Sequence, residues 1–350
     1  MRVLILGDAS VPHIHKWARI LRDLGNEVKV VTFERTLEDG VLRFKIPGGK
    51  FKYLLGIPKL KNFVEEFKPD ILFPHYIPNY GLISSFLRGF KVLAIWGSDI
   101  NVWAKKTPIH RRIARAILKN FDLLVCDAES LKRTLIEGFG ISDNRTFVLP
   151  FGVEKEIRDR PLRDLKLDEI RILSFRRHEE NFNHFEILKF AKLLSQRFKV
   201  KLVYINGGKL TKRIERTAKE MGLNFENLGK VPREKYVEIL ENSHFCISIP
   251  KFDGTSVSLL EGMALGCVPI VSDIPPNREW VEENRGIISE HKGERIFEKF
   301  LRVFSWDWWR RARIENKKVV LQRCDWEGNV KRFWEAVLMS KKSLAGKNEL

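Results

Sequence analysis

Short apolar runs alternate along this chain with longer segments whose apolar residues recur every three or four positions. The runs are RVLILG (2–7), EVKVVTF (27–33), ILF (71–73), KVLAIWG (91–97) and LLVCD (123–127). After a break they resume with IRILSF (170–175), KVKLVYI (199–205), FENLG (225–229), FCISI (245–249) and VPIVS (268–272). Runs of this length, rich in Val, Ile, Phe and Tyr, predict buried strands. HKWARILRDLG (15–25) has helical spacing. So does DAESLKRTLIEGFG (127–140), with Asp127 or Ser130 as its expected N-cap. Its Leu131, Leu135 and Ile136 share a face, and Gly138 or Gly140 supplies a stop. Strand–helix alternation of this kind predicts an α/β chain, with doubly wound parallel sheets covered by helices on both faces.

The alternation breaks once. In FGVEKEIRDRPLRDLKLD (151–168) ten of the 18 residues are charged and Pro161 interrupts the run, which suits an interdomain connection. At 350 residues the chain is also too long for one ordinary core. The expected division is a domain over 1–155, a linker over 156–168, a second domain over 169–325, and a helix and tail over 326–350 that packs back on the first domain. After Gly293 the pattern is helical to the end, with the last residues, SLAGKNEL, expected to fray. In doubly wound sheets ligands bind beyond the carboxyl ends of the strands, and two such domains facing each other would form a cleft. Chemistry is therefore sought just after each strand.

Composition removes several classes. Apolar residues make up 44% and charged residues 31%, as in globular proteins. The longest uncharged stretch, 71–87, contains Pro74, His75, Pro78 and Asn79 and does not read as a transmembrane helix. The apolar core before Asp8 is short, a first strand rather than a signal peptide. Four separated cysteines without a CxxC pair suggest reduced, buried thiols and a cytoplasmic chain. No GxGxxG, GxxxxGK[ST], Asp-x-Asp, HExxH or GxSxG occurs, so dehydrogenase, P-loop, metal-dependent and serine-hydrolase readings lose their usual support. No metal site and no cofactor are expected. The net charge of +18 is shared equally, with 24 basic against 15 acidic groups in 1–150 and 39 against 30 in 151–350. It fits an anionic partner, or the Lys-, Arg- and Glu-rich, glutamine-poor composition of a thermophile.

One strand end stands out. FCISI leads through Pro250 into a loop, Lys251 to Thr255, where Gly254 is free to take positive φ; a helix is predicted from near Ser256 to a stop at Gly266. First-turn amides of such a helix suit a phosphate or diphosphate. Asp253 is either a turn residue or a working acid. Glu261, roughly one and a half turns into the helix, is either a solvated glutamate or a second working acid.

With these residues the resemblance to a family is close. Asp253 followed by GTSVSLLEGMALG and then VPIVSDIPPNREWV resembles the E-x7-E donor motif of the retaining glycosyltransferases of family four (glycosyl transferases group 1), GT-B fold. It is most similar to the branch with the DGTSVSLLE…PIVSDIPxNREW pattern. SVPHIHKWARILRDLGNEV, PHYIPNYG, WGSDI, CDAESLKRTLIEGFG and VLPFGVE are similar to further family segments, in the same order. The resemblance implies two Rossmann-like domains facing across a cleft, with a helical C-terminus. Glu261 would accept ribose hydroxyls, Asp253 would face the donor sugar, and the amides around Gly254, Thr255, Ser256 and Val257 would hold the diphosphate. Arg176 would neutralise the departing diphosphate, and Lys230 and Val231 would lie beside the base.

Three positions depart from the family pattern. Asp253 is one methylene shorter than the usual Glu. Phe182 stands near a common lysine, whose role would fall to Arg177 or Lys251. Trp96 of WGSDI stands where many relatives have a histidine, which redirects sugar specificity or silences catalysis. On the acceptor side the resemblance points to Asp99, His75, His13, Ser10 and Trp96. Each polar one also has a local reading: Ser10 and His13 as helix caps, His75 as a structural histidine, Asp99 as the fixer of the WGSD turn.

The implied activity is metal-independent, retaining transfer from a UDP- or GDP-type sugar to a glycan or lipid-linked acceptor in surface polysaccharide or glycolipid synthesis. The rivals are a silent sugar-nucleotide-binding protein and a GT-B epimerase. Basic stretches at 50–63, 101–121 and 304–318, the last with Trp306, Trp308 and Trp309, suit an anionic membrane surface at the inner face. The alternative is that these tryptophans pack the C-terminal helices. No nucleic-acid motif appears.

Overall fold

The computed structural model describes residues 1–36, 38–150 and 152–347. They form two compact units: Met1–Pro150 joined by the chain from Glu327 onward, and the intervening chain up to Trp326.

The first unit is built on β1 (Arg2–Leu6), β2 (Glu27–Thr32), β3 (Val41–Arg43), β4 (Ile71–Pro74), β5 (Val92–Ile95), β6 (Leu123–Cys126) and β7 (Thr146–Val148). All pairs are parallel, in the orders β3-β2-β1-β4 and β5-β6-β7. Parallel bridges Leu72↔Lys91 and His75↔Ala94 join β4 to β5. The strand order reverses direction between β1 and β4. β3 and β7 escape sequence reading because each is only three residues long and lies at a sheet edge. The first helix runs Pro12–Asp23, three residues earlier than predicted, because Pro12 fits the first helical turn. Over 127–140 the N-cap is Ala128, neither Asp127 nor Ser130. That helix, Glu129–Arg133, widens into a π-type turn at Thr134–Gly138, and Gly140, at φ +67°, turns the chain out.

The Trp326–Lys347 helix completes this unit. Its Phe333 ring packs 5.7 Å from Trp17 and 5.3 Å from Phe147. Lys341 pairs with Asp70 at 3.5 Å.

The second unit carries β8 (Ile170–Ser174), β9 (Val200–Tyr204), β10 (Phe225–Asn227), β11 (Phe245–Ser248), β12 (Val268–Ser272) and β13 (Ile287–Ser289). They form one parallel sheet ordered β10-β9-β8-β11-β12-β13. Here the order reverses between β8 and β11, the place where doubly wound sheets open a crevice for ligands. The charged segment after Gly152 packs on this unit: Val153 and Ile157 are buried in its core, and Arg158 pairs with Asp325 at 2.7 Å.

The tryptophans of 304–318 are engaged in packing. Trp309 is buried and donates through Nε1 to the carbonyl of His244 at 2.9 Å. Trp308 donates to the carbonyl of Asn284, and Trp306 stacks edge-on against Trp309. All four cysteines are buried, and none is joined in a disulfide. No described helix is long and apolar enough to cross a membrane.

Candidate functional site

In the second unit two strand ends meet at the reversal point. β8 runs out into Phe175 and Arg176, and β11 into the loop that leads to the Val257–Ala264 helix. Arg176 Nε donates to Ser248 Oγ at 2.7 Å and its Nη2 to Asp253 Oδ2 at 2.5 Å. Phe182, which the resemblance places near a common lysine, lies 5.1 Å from the Arg176 guanidinium and steadies it by a cation–π contact. Asp253 Oδ1 also accepts from the backbone N–H of Gly254 at 3.0 Å. Asp253 is therefore both a turn residue and the acid partner of Arg176. Gly254 does not take positive φ, because the Asp253 carboxylate closes the turn without it.

The helix that follows begins as predicted. Ser256 is its N-cap, with Oγ accepting from the N–H of Leu259 at 3.3 Å, and Gly266 at φ +93° ends it. Its first turn presents N–H groups next to Asp253, a setting suited to an anion. Trp280 Nε1 donates to Thr255 Oγ1 at 3.4 Å, holding the turn from below.

Glu261 is 4% exposed, and each of its carboxylate oxygens accepts one hydrogen bond. Oε1 accepts from Arg233 Nη2 at 2.5 Å and Oε2 from the Tyr236 hydroxyl at 2.8 Å. Arg233 also reaches Glu154 at 3.3 Å. Burial works against charge on Arg233, but the Glu261 hydrogen bond and charge win, so its pKa is raised. The Tyr236 hydroxyl is pushed well up by burial and then by the Glu261 charge. A carboxylate offers about four lone-pair sites, so two donors leave capacity for hydroxyls. Arg233 and Tyr236 carry no motif. The signal that could have found them is their i, i+3 spacing on one helix face, just after Lys230 and Val231.

The remaining residues expected on the donor side fall nearby or at the surface. Lys230 is exposed and follows Gly229, which sits at φ +63°; Val231 packs on the core. The Arg177 side chain is 75% exposed and faces Glu179 at 3.7 Å. Lys251 is exposed. Among the described residues, no group of three or more His, Cys, Asp and Glu could hold a metal ion.

In the first unit the ends of β1, β4 and β5 surround a cavity of about 280 Å³ lined by Asp8, His75, Tyr76, Asn79, Trp96 and Ser98, among others. His13 stacks 5.1 Å from Trp96, and His75 lies 5.7 Å from the same ring. Ser10 is exposed and caps no helix: its N–H and hydroxyl both donate to Asp8 Oδ1, at 2.9 and 2.6 Å, and Val11 is the N-cap. His13 lies inside the helix, one residue past Pro12, and does not cap it either.

Asp99 is fully buried. Its oxygens accept from the backbone N–H groups of Ile77 at 3.2 Å, Trp96 at 3.2 Å and Ile100 at 3.0 Å. Burial raises its pKa to about 6, against the pull of those N–H bonds. It fixes the WGSD turn and thereby sets the position of Trp96. Tyr76, at φ +80°, is a bulky residue held in the left-handed region, which marks a locally imposed conformation at the cavity wall.

Residues 2–128 match the family model described as glycosyl transferase 4-like, and residues 155–319 match the model of glycosyl transferases group 1. No curated protein matches the chain in sequence. Among solved structures, the chain is similar to sucrose-phosphate synthase from Thermosynechococcus elongatus, with a TM-score of 0.82 at 14% identity, covering 99% of this chain and 100% of that one. It is similar to a glycosyltransferase from Rickettsia africae, with a TM-score of 0.76 at 13% identity over 97% and 98% of the two chains. It is also similar to HepE of Anabaena in complex with UDP, with a TM-score of 0.72 at 13% identity and full coverage of both. The fold is GT-B: two Rossmann-like domains of parallel sheet with a helical C-terminus.

Proposed function

With both halves of the chain matched by glycosyltransferase family models, we propose that it is a retaining, metal-independent glycosyltransferase acting on a nucleotide-diphosphate sugar. The observation that carries this reading is the pairing of Arg176 with Asp253 beside the helix N-terminus that follows β11. Arg176 supplies a fixed positive charge where a departing diphosphate would sit, and the first-turn amides supply N–H donors for the same group. Glu261, oriented by Arg233 and Tyr236, accepts the ribose hydroxyls of a UDP- or GDP-type donor. Asp253 faces the donor sugar's hydroxyls.

In the reaction, the bond from the anomeric carbon to the diphosphate oxygen breaks as the acceptor hydroxyl attacks from the same face. The acceptor proton passes to the leaving phosphate oxygen, so no separate protein base is required. Arg176 offsets the negative charge that develops on the diphosphate. The acceptor is a glycan or a lipid-linked sugar, handled by the first unit around Ser10, His13, His75 and Trp96. HepE of Anabaena binds UDP, and binds glucose together with it, which supports a donor of this class.

We read the first unit as peripheral to an anionic membrane. The Pro108–Lys119 helix exposes Ile109 and Ile113 among Arg111, Arg112 and Arg115, the apolar-and-cationic face such an interface selects. A second reading, a silent sugar-nucleotide-binding protein, is favoured by Trp96 in the place of a sugar-contacting histidine.

The test is a panel of UDP- and GDP-sugars, with binding followed by calorimetry and donor cleavage by released nucleotide. Binding with slow hydrolysis supports the transferase. Binding without hydrolysis or transfer supports the silent reading, and absence of binding by every nucleotide sugar removes both.

A further inference from the structure

Asn181, Phe182 and Asn183 lie between β8 and the His184–Ser195 helix, and together they reach Arg176 on one side and the turn before Asp253 on the other. The Phe182 ring faces the Arg176 guanidinium at 5.1 Å. Its two neighbours bond the chain that carries Asp253. Asn183 Nδ2 donates to the carbonyl of Ile249 at 2.8 Å. Asn183 itself stands at φ +51°, a left-handed backbone that Asn tolerates through its short polar side chain. Asn181 makes two bonds to the turn. Its carbonyl accepts from the Lys251 N–H at 2.9 Å, and its Nδ2 donates to the carbonyl of Phe252 at 3.0 Å.

A second set of side chains pins the same turn at Pro250, whose carbonyl accepts from Ser272 Oγ and His291 Nε2, both at 2.7 Å. Backbone groups of Pro250, Lys251 and Phe252 are thus each fixed by another loop, as polar groups of a structured turn require. The bond at the Phe252 carbonyl stands directly before Asp253, so it sets the course on which that carboxylate leaves the chain. Asn181 Oδ1 is buried and finds no donor among the described residues. The work of this side chain therefore falls to Nδ2.

We propose that Asn181 is a positioning residue for Asp253: through the Phe252 carbonyl it aims the carboxylate at Arg176 and at the donor sugar. The second half of this inference rests on the proposed transferase reading; the hold of Asn181 on the turn does not. In that reading the nucleotide is held by Glu261 and the first-turn amides, so loss of Asn181 touches turnover and spares the nucleotide.

The experiment compares Asn181→Leu and Asn181→Ala with the wild type in the full chain, by donor turnover, UDP and GDP affinity, and amide hydrogen exchange. Leu has nearly the shape of Asn and gives up the Nδ2 bond alone, because Oδ1 has no partner to lose. Both variants should turn over UDP- or GDP-sugars about tenfold more slowly, with nucleotide affinity within about threefold of wild type. Exchange at the Lys251 and Gly254 amides should speed up about tenfold in both, as local opening of the turn becomes easier. A packing role gives a different order, with Asn181→Leu near wild type and Asn181→Ala impaired, and that result overturns the inference. So do unchanged turnover in both variants, nucleotide affinity that falls in step with turnover, and unchanged exchange at Lys251 and Gly254. If Asn181→Leu does not fold, Asn181→Ala decides through the split between turnover and affinity, together with exchange. A wild type that turns over no nucleotide sugar removes the transferase reading, and exchange, which needs no substrate, then decides whether Asn181 holds the turn.

Discussion

Arg233 Nη2 stands 2.5 Å from Glu261 Oε1, joining the helix after β10 to the helix after β11 within the second unit. Removing the acid leaves the buried Tyr236 hydroxyl without its carboxylate acceptor, while Arg233, about half exposed, turns to water. Glu261→Ala should therefore cost about 1–3 kcal/mol of stability and abolish nucleotide-sugar binding. Arg233→Ala should weaken donor binding about tenfold, by loosening Glu261, with a smaller loss of stability. Thermal unfolding and calorimetry on the same samples separate the two effects. Donor binding equal to wild type in Glu261→Ala would remove the site assignment.

Arg176 meets Ser248 through Nε and Asp253 through Nη2, a two-pronged arrangement that a single ammonium does not reproduce. Arg176→Lys should lower donor turnover by about 10²-fold while donor binding falls less, because the charge matters most as the diphosphate departs. Steady-state rates beside binding constants check this. A fall in binding with unchanged turnover at saturation points to a purely ground-state role.

Stability should fall on acidification. Burial lowers the pKa of His75 to about 3 and those of His184 and His244 to about 4, all below the ordinary 6.5. Their stabilisation is present above pH 6.5 and is lost as pH falls toward 4. His244 accepts from the Arg171 N–H at 3.1 Å, a bond that protonation of that nitrogen breaks. Asp99 works in the opposite sense: with its pKa raised from 3.8 to about 6, it costs stability as pH rises through that interval. His244→Asn should reduce the loss between pH 7 and 4 by roughly 2–3 kcal/mol, and Asp99→Asn should steepen it. Urea midpoints across that range provide the measurement; parallel curves for all three proteins would contradict it.

Membrane attachment should depend on charge. Vesicles containing anionic lipid should float the protein at low salt, neutral vesicles should not, and Arg112→Glu with Arg115→Glu should abolish flotation. Salt-insensitive flotation, or none at all, removes the membrane reading.

Much of the candidate site in the second unit was legible from sequence. Ser256 as N-cap, Gly266 as stop and the turn at Asp253 follow from local chemistry, and the structure places them there. Arg233 and Tyr236 were not legible, because an Arg and a Tyr three apart on a charged helix look like any solvated face until Glu261 is found opposite them. The edge strands β3, β7 and β13 are too short for periodicity to register. Trp306, Trp308 and Trp309 illustrate the reverse: read as sequence they suit a membrane, yet in the fold the Trp306 ring packs on Trp309 and the N–H groups of Trp308 and Trp309 go to backbone carbonyls.

By itself the sequence determined the alternation of strand and helix and hence the parallel sheets, because hydrophobic period is a local property of the chain. For the longer strands it also determined where each ends and which polar residues stand there. Only the tertiary structure decided which of those residues meet: Arg176 with Asp253, 77 positions apart, and Arg233 with Glu261, 28 apart. Parallel strands joined by crossover helices bring their carboxyl ends together from distant points of the chain, and no local pattern records which ends become neighbours.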